Sequence, residues 1–299
     1  MKPCYIVMPI ISRFYSMKLY KLSAGVVLQY NHASYLLQYE WDTLINRDRL
    51  YHFLLDMIPE LPILSAEMAA VHIKESLLPP IGKQEVWAAG VTYLRSREAR
   101  MEESADSGAA DLYDKVYAAE RPELFFKSMS HRVAGHNQQV YIRRDSSWNV
   151  PEPEMTLFMN SKGSIQGYTI GNDMSSRSIE GENALYLPQA KIFERSAAIG
   201  PCLYVPEQPV PADTSIEMSI ERTSQEVYHD STSINRMKRT FPELAGYLYR
   251  ECDFPYGSFL MTGTCLVPPN DFTLQEGDKI AITIGGIGTL VNTVSYKPQ

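Results

Sequence analysis

WNVPEPEMTLFMNSKGSIQGYTIGNDMSSRS, residues 148–178, carries three carboxylates on two apolar segments that flank a turn. In extended chain successive side chains alternate between faces, so Glu152 and Glu154 point the same way and Pro153 the other. Pro153 has no amide hydrogen, which confines it to a strand beginning, an edge or a bulge. The turn NSKG, residues 160–163, joins the two segments as a hairpin, and the fold-back brings the end of the second strand to the start of the first. Asp173 lies at that end. Three clustered carboxylates repel one another unless a cation neutralises them, and an oxygen-only donor set suits Mg²⁺, Mn²⁺ or Ca²⁺ rather than zinc. Spacing alone leaves a second reading open, in which the glutamates form a solvated strand face and Asp173 caps a turn.

Outward from this hairpin, residues 122–299 read as short alternating segments separated by turn signals. They include ELFFKS, QVYIRR, SIEMSIER, EVYHDS, KIAITIGG and TLVNTV, interrupted by one amphipathic helix, FPELAGYLYRE. The spacing predicts a mainly β domain. Upstream, GVVLQY and SYLLQYEW read as strands and NRDRLYHFLLDMI as a helix, which predicts a small N-terminal α/β domain over residues 1–82. The Pro79-Pro80 pair stops any helix, and VWAAGV opens a second domain, residues 83–299. Two polar, helix-prone stretches between residues 94 and 120 predict an exposed lid. GGIGTL at Gly285 lacks the ending and the following helix of a phosphate loop and reads as a β-turn.

Composition narrows the function classes. The chain of 299 residues is 44% hydrophobic, enough for a sizeable core, and no stretch approaches the roughly 18 apolar residues of a membrane helix. The start has neither a long apolar run nor a cleavage site, so the expected location is cytoplasmic, with no membrane partner. A net charge of −7 without blocks of like charge argues against nucleic acid. The four cysteines show no pair at metal or redox spacing and are expected to be buried free thiols.

The linked motifs resemble the fumarylacetoacetate hydrolase superfamily: Glu152-Pro153-Glu154, then GYTIGNDMSSR from Gly167, then Lys191 and Gly200-Pro201. FFKS at Phe125 and TGTCLVP at Thr262 extend the likeness over roughly residues 85–294. The resemblance implies a twisted mixed β-roll preceded by a small N-terminal domain, and a homodimer or homotetramer. It also implies a divalent metal, Mg²⁺ foremost, held by Glu152, Glu154 and Asp173. The runs EVWAAGVTYLRSREARMEES, VYAAERPELFFK and ENALYLPQAKIF are similar to the branch of dehydratases that act on 2-keto-3-deoxy sugar acids such as 2-dehydro-3-deoxy-D-arabinonate.

In hydrolases of this superfamily, N-Y-x-x-H-x-x-E supplies a His/Glu dyad that activates water. Here Ser96 and Ala99 stand at those positions, with Glu98 and Glu102 left as substitutes, and loss of such a base is worth about 10²–10⁴-fold. The resemblance therefore implies dehydration of a 2-keto-3-deoxy-pentonate to 2,5-dioxopentanoate through a metal-stabilised enolate. Lys191 and Glu123 would transfer protons in an unassigned order, and Tyr93, Ser96, Lys127 and Thr264 would face substrate. By strand alternation Glu123, Phe125 and Lys127 share a face, so Lys127 is expected either to hold substrate or to pair with Glu123. The rival readings are an acylpyruvate or β-diketone hydrolase, an oxaloacetate decarboxylase, and a non-catalytic 2-oxo-acid-binding protein.

Overall fold

Burial explains which strands announce themselves by alternation. Ser215–Arg222 alternates between exposed and buried positions, as a strand with one wet face must, whereas Pro153–Met159 is buried at all seven positions and its text shows no alternation. The computed structural model describes residues 15–95 and 110–299, which are mainly β.

The larger sheet runs, by neighbouring strands, Ile63–Leu64, Ala33–Leu37, Gly25–Tyr30, Ser16–Leu22, Ala197–Pro206, Ile165–Asp173, Pro153–Met159, Ser258–Met261, Glu85–Gly90 and Glu123–Met129. The chain then turns back, and Val133–Ala134 pairs in parallel with Ala197–Pro206. That return closes part of the sheet into a roll. Pro153 is the first residue of its strand, where its missing amide hydrogen costs no ladder bond.

A second sheet, in the order Gln225–Ser233, Ser215–Arg222, Lys279–Ile284, Gly288–Tyr296 and Gln138–Ile142, packs on the roll. Its Ile216, Met218, Ile280 and Ile282 share one core with Met155, Leu157 and Tyr168 of the hairpin. The glycines after Ile284 form a tight turn, with Gly286 at φ +82°, so GGIGTL is a hairpin connection.

The described part of residues 1–82 adds four strands and the helices Trp41–Ile45, Leu50–Met57 and Ala66–Ser76. Its strand Ser16–Leu22 is hydrogen-bonded directly to Ala197–Pro206, with Ser16 opposite Pro206. Met17, Leu19 and Leu50 pack in one cluster with Phe158 and Phe259, whose fully buried rings face each other across neighbouring strands at 5.1 Å. Of the cysteines, Cys202 is buried as expected, whereas Cys252 is exposed and Cys265 half-buried, and all three are free. Cys252 follows the end of the helix Phe241–Leu248, in surface chain that no core covers. Cys4 lies outside the described residues.

Candidate active site

The hairpin of residues 153–173 places its acids as the spacing predicts. Pro153 is opposite Asn172, Glu154 opposite Gly171, and the Asp173 amide donates to the Glu152 carbonyl at 2.9 Å. One carboxylate oxygen from each of Glu152, Glu154 and Asp173 lies within 4.8 Å of the others, and all three residues are buried. Ser175–Ser176 then pairs with Asn149–Val150, and the Arg177 amide donates to the Trp148 carbonyl, which turns Arg177 back over the glutamates.

Three buried cations answer two of the three acids, Glu152 and Asp173. Arg177 pairs with Glu152 Oε1. Lys191, the last residue of the helix Leu187–Lys191, puts Nζ 2.6 Å from Glu152 Oε2, 2.5 Å from Ser175 Oγ and 3.5 Å from Asp173 Oδ2. Lys127 Nζ lies 2.5 Å from Asp173 Oδ1. Removing one partner of a buried pair strands the other charge and costs about 3–5 kcal/mol. Ser175 and Arg177 were given no role by sequence reasoning, yet both belong to the quoted run GYTIGNDMSSR, two and four residues beyond Asp173.

Glu154 differs from the other two acids. Among the described residues it has no cationic side chain in contact and accepts instead from the Gly263 amide at 2.5 Å. Burial first, then the Asp173 and Glu152 carboxylates, push its carboxyl well above the ordinary range. A buried set made only of oxygen donors, with one acid uncompensated, fits a hard divalent cation of the magnesium kind.

The cavity at the acids is about 20 Å³, room for about one water-sized occupant. Phe125, Gly90, Gly263 and Thr264 line it together with Lys191 and Arg177. The Phe125 ring centre lies 6.0 Å from Lys191 Nζ. Thr264 thus stands at the site, although its hydroxyl is engaged with the Leu266 amide at 3.3 Å. Glu123 does not line the cavity. Its Oε2 is buried without a hydrogen-bond partner, and it lies so close over Gly90 that a Cβ there would sit 2.0 Å away.

Tyr93 lines a separate cavity of about 550 Å³ with Arg95, Arg236 and Cys265. Burial raises its phenol, and the Cys265 thiol and Glu154 carboxylate raise it further, which puts Tyr93 within electrostatic reach of the acids. Lys127 departs from expectation. It lies at ion-pair distance from Asp173 Oδ1 rather than beside Glu123, and donates to the Met174 carbonyl at 3.0 Å and to the Lys191 carbonyl. Fully buried, Lys127 does not line the cavity at the acids. Ser96, Ala99, Glu98 and Glu102 lie outside the described residues, as does most of the expected lid. No described helix is long and apolar enough to cross a membrane.

The family model described as fumarylacetoacetate (FAA) hydrolase, C-terminal, matches residues 86–295. A probable 2-keto-3-deoxyxylonate dehydratase of Haloferax volcanii is 48% identical over 217 residues, 72% of this chain and 74% of its own. A 2-dehydro-3-deoxy-D-arabinonate dehydratase of Saccharolobus solfataricus is 41% identical over 220 residues, 73% of this chain and 74% of its own. A solved structure of 2-keto-3-deoxy-D-arabinonate dehydratase complexed with magnesium and 2,5-dioxopentanoate aligns with TM-score 0.79 and 30% identity, covering 95% of this chain and all (100%) of that one.

Proposed function

Because this chain belongs to the fumarylacetoacetate hydrolase family, we propose that it is a Mg²⁺-dependent dehydratase converting a 2-keto-3-deoxy-pentonate to 2,5-dioxopentanoate. The observation that carries the reading is the buried Lys191 ammonium within hydrogen-bond reach of Glu152, beside the three acids; Glu123, whose Oε2 lies over Gly90 of the cavity wall, is read as its partner in proton transfer. The names of the two relatives and the product held in the magnesium complex support the substrate class.

The reaction removes a C3 proton and the C4 hydroxyl as water, then shifts further protons until C5 reaches the aldehyde level, with no net oxidation. A divalent cation held by Glu152, Glu154 and Asp173 supplies Lewis-acid polarisation of the 2-oxo group. Lys191 and Glu123 hold and move the protons, while Phe125 and the Gly90 backbone wall the site against water. Arg177 and Lys127 balance the acids. In this reading residues 1–82 form the N-terminal domain and residues 83–299 the catalytic one, in a cytoplasmic homodimer or homotetramer.

A panel of 2-keto-3-deoxy pentonates and hexonates assayed with Mg²⁺ is expected to give 2,5-dioxopentanoate from a pentonate, with acylpyruvates and fumarylacetoacetate nearly untouched. Faster hydrolysis of acylpyruvates than dehydration of any keto-deoxy acid would overturn the reading. Glu123 has its own test. Gly90→Ala places a methyl where the Glu123 carboxylate now lies, and that flexible end must swing away. The variant is expected to keep its melting temperature and lose at least about tenfold in kcat, part of what a general acid–base group contributes. Unchanged kcat would remove Glu123 from the mechanism.

A further inference from the structure

We propose that Lys127 is a positioning residue, which ties the metal ligand Asp173 to the end of the helix carrying Lys191 and makes no contact with substrate. The inference rests on the dehydratase reading of the same site. Pairing between Glu85–Gly90 and Glu123–Met129 shifts at one point: Phe126 is opposite Trp87 and Ser128 opposite Val86, so Lys127 is the extra residue of a bulge. Bulges re-aim side chains, and this one sends Lys127 into the roll. By strand order Glu123–Met129 is four strands removed from Ile165–Asp173, yet the closed roll lets the ammonium bridge them.

Lys127 is fully buried, with the Phe193 ring centre 5.8 Å from its Nζ. Of its three partners, the Asp173 carboxylate belongs to the acidic cluster, the Met174 carbonyl is in the next residue, and the Lys191 carbonyl ends the helix Leu187–Lys191. The Lys191 carbonyl also accepts from Ser196 Oγ at 2.9 Å, so the backbone of Lys191 is held from two sides. The division of cations follows from this. Lys127 occupies Asp173, which leaves Lys191 with Glu152 at 2.6 Å rather than with Asp173 at 3.5 Å. Without Lys127, Lys191 is the remaining lysine beside Asp173 and is drawn toward it, out of line for proton transfer and into competition for a metal ligand.

The test compares Lys127→Met and Lys127→Gln with wild type in steady-state kinetics and in Mn²⁺ binding followed by calorimetry. Both variants are expected to lose at least about tenfold in kcat and in Mn²⁺ affinity, while KM stays within about threefold. In a Lys191→Met background, Lys127→Met is expected to remove less than about threefold more, because groups that act as a unit are not additive. A raised KM at unchanged kcat would make Lys127 a substrate contact and overturn the proposal. Unchanged Mn²⁺ affinity with unchanged kcat, or fully multiplicative losses, would overturn it as well.

If neither variant folds, reductive methylation of the wild type decides. Lys127 is expected to stay unmodified both in metal-free protein and with Mg²⁺ and oxalate, whereas modification that Mg²⁺ and oxalate prevent would refute the assignment. Mn²⁺ binding and methylation need no substrate, so a wild type that dehydrates no keto-deoxy acid would refute the proposed function and leave these readouts standing.

Discussion

Glu154→Gln is expected to weaken Mg²⁺ binding by at least about 10²-fold and bring turnover to background, since even partners of metal ligands are worth about 10–100-fold in affinity. Glutamine keeps the volume and an oxygen for the Gly263 amide, so the change is one of charge. Glu154 is the informative choice among the three acids. Glu152 is held by Arg177 and Lys191 and Asp173 by Lys127, so neutralising either would strand a buried cation and confuse loss of metal with loss of structure. Glu154 strands none. Without metal the variant is therefore expected to melt no lower than wild type, because a buried acid crowded by two others has been removed. Added Mg²⁺ should raise the wild-type melting temperature by mass action and leave the variant unmoved. Wild-type turnover in the variant, or in chelator-treated protein, would exclude the acids as the seat of the cation.

Lys191→Met is expected to lower kcat by about 10²–10⁴-fold, the range for loss of a general acid or base, with KM little changed. Methionine follows the lysine stem closely in length and loses only the ammonium, which now sits 2.6 Å from Glu152 Oε2 and 2.5 Å from Ser175 Oγ. Mg²⁺ affinity should be retained or tightened, because Glu152 is relieved of a competing cation. This separates the two variants: one keeps metal and loses turnover, the other loses both. A Lys191→Met enzyme within tenfold of wild type would mean that the lysine merely balances charge.

The acids were legible because a hairpin is local. Two glutamates two residues apart, a turn at Asn160–Gly163 and an aspartate at the returning end fix their own juxtaposition by strand geometry alone. Lys191, by contrast, lies in text that reads as a polar loop, and only the family likeness singled it out. For Lys127 alternation takes no account of the bulge that re-aims it, its partner depends on the closing of the roll, and nothing in ELFFKS foretells an ion pair with Asp173. Arg177 was visible as a letter of the motif without a role, because its pairing with Glu152 follows from the Asn149–Val150 bridge, two residues long. The strand Ala197–Pro206 was missed although Gly200-Pro201 was noted. It is buried in mid-sheet and pairs with Ser16–Leu22, a partner almost two hundred residues away that leaves no local trace.

The place of Ser258–Met261 between Pro153–Met159 and Glu85–Gly90 bears on how the protein is made. Contacts so distant in sequence are slow to form, and a growing chain holds all three acids long before the strand that seats them. Until residue 263 has left the ribosome, Glu154 has no amide to accept from, and the two halves of the roll have nothing between them. A divalent cation held by these acids would therefore not nucleate the fold as zinc does in a finger. On the proposed reading the cation would enter last, as a bolt on a door already shut, and metal-starved cells should accumulate folded, inactive protein rather than aggregates.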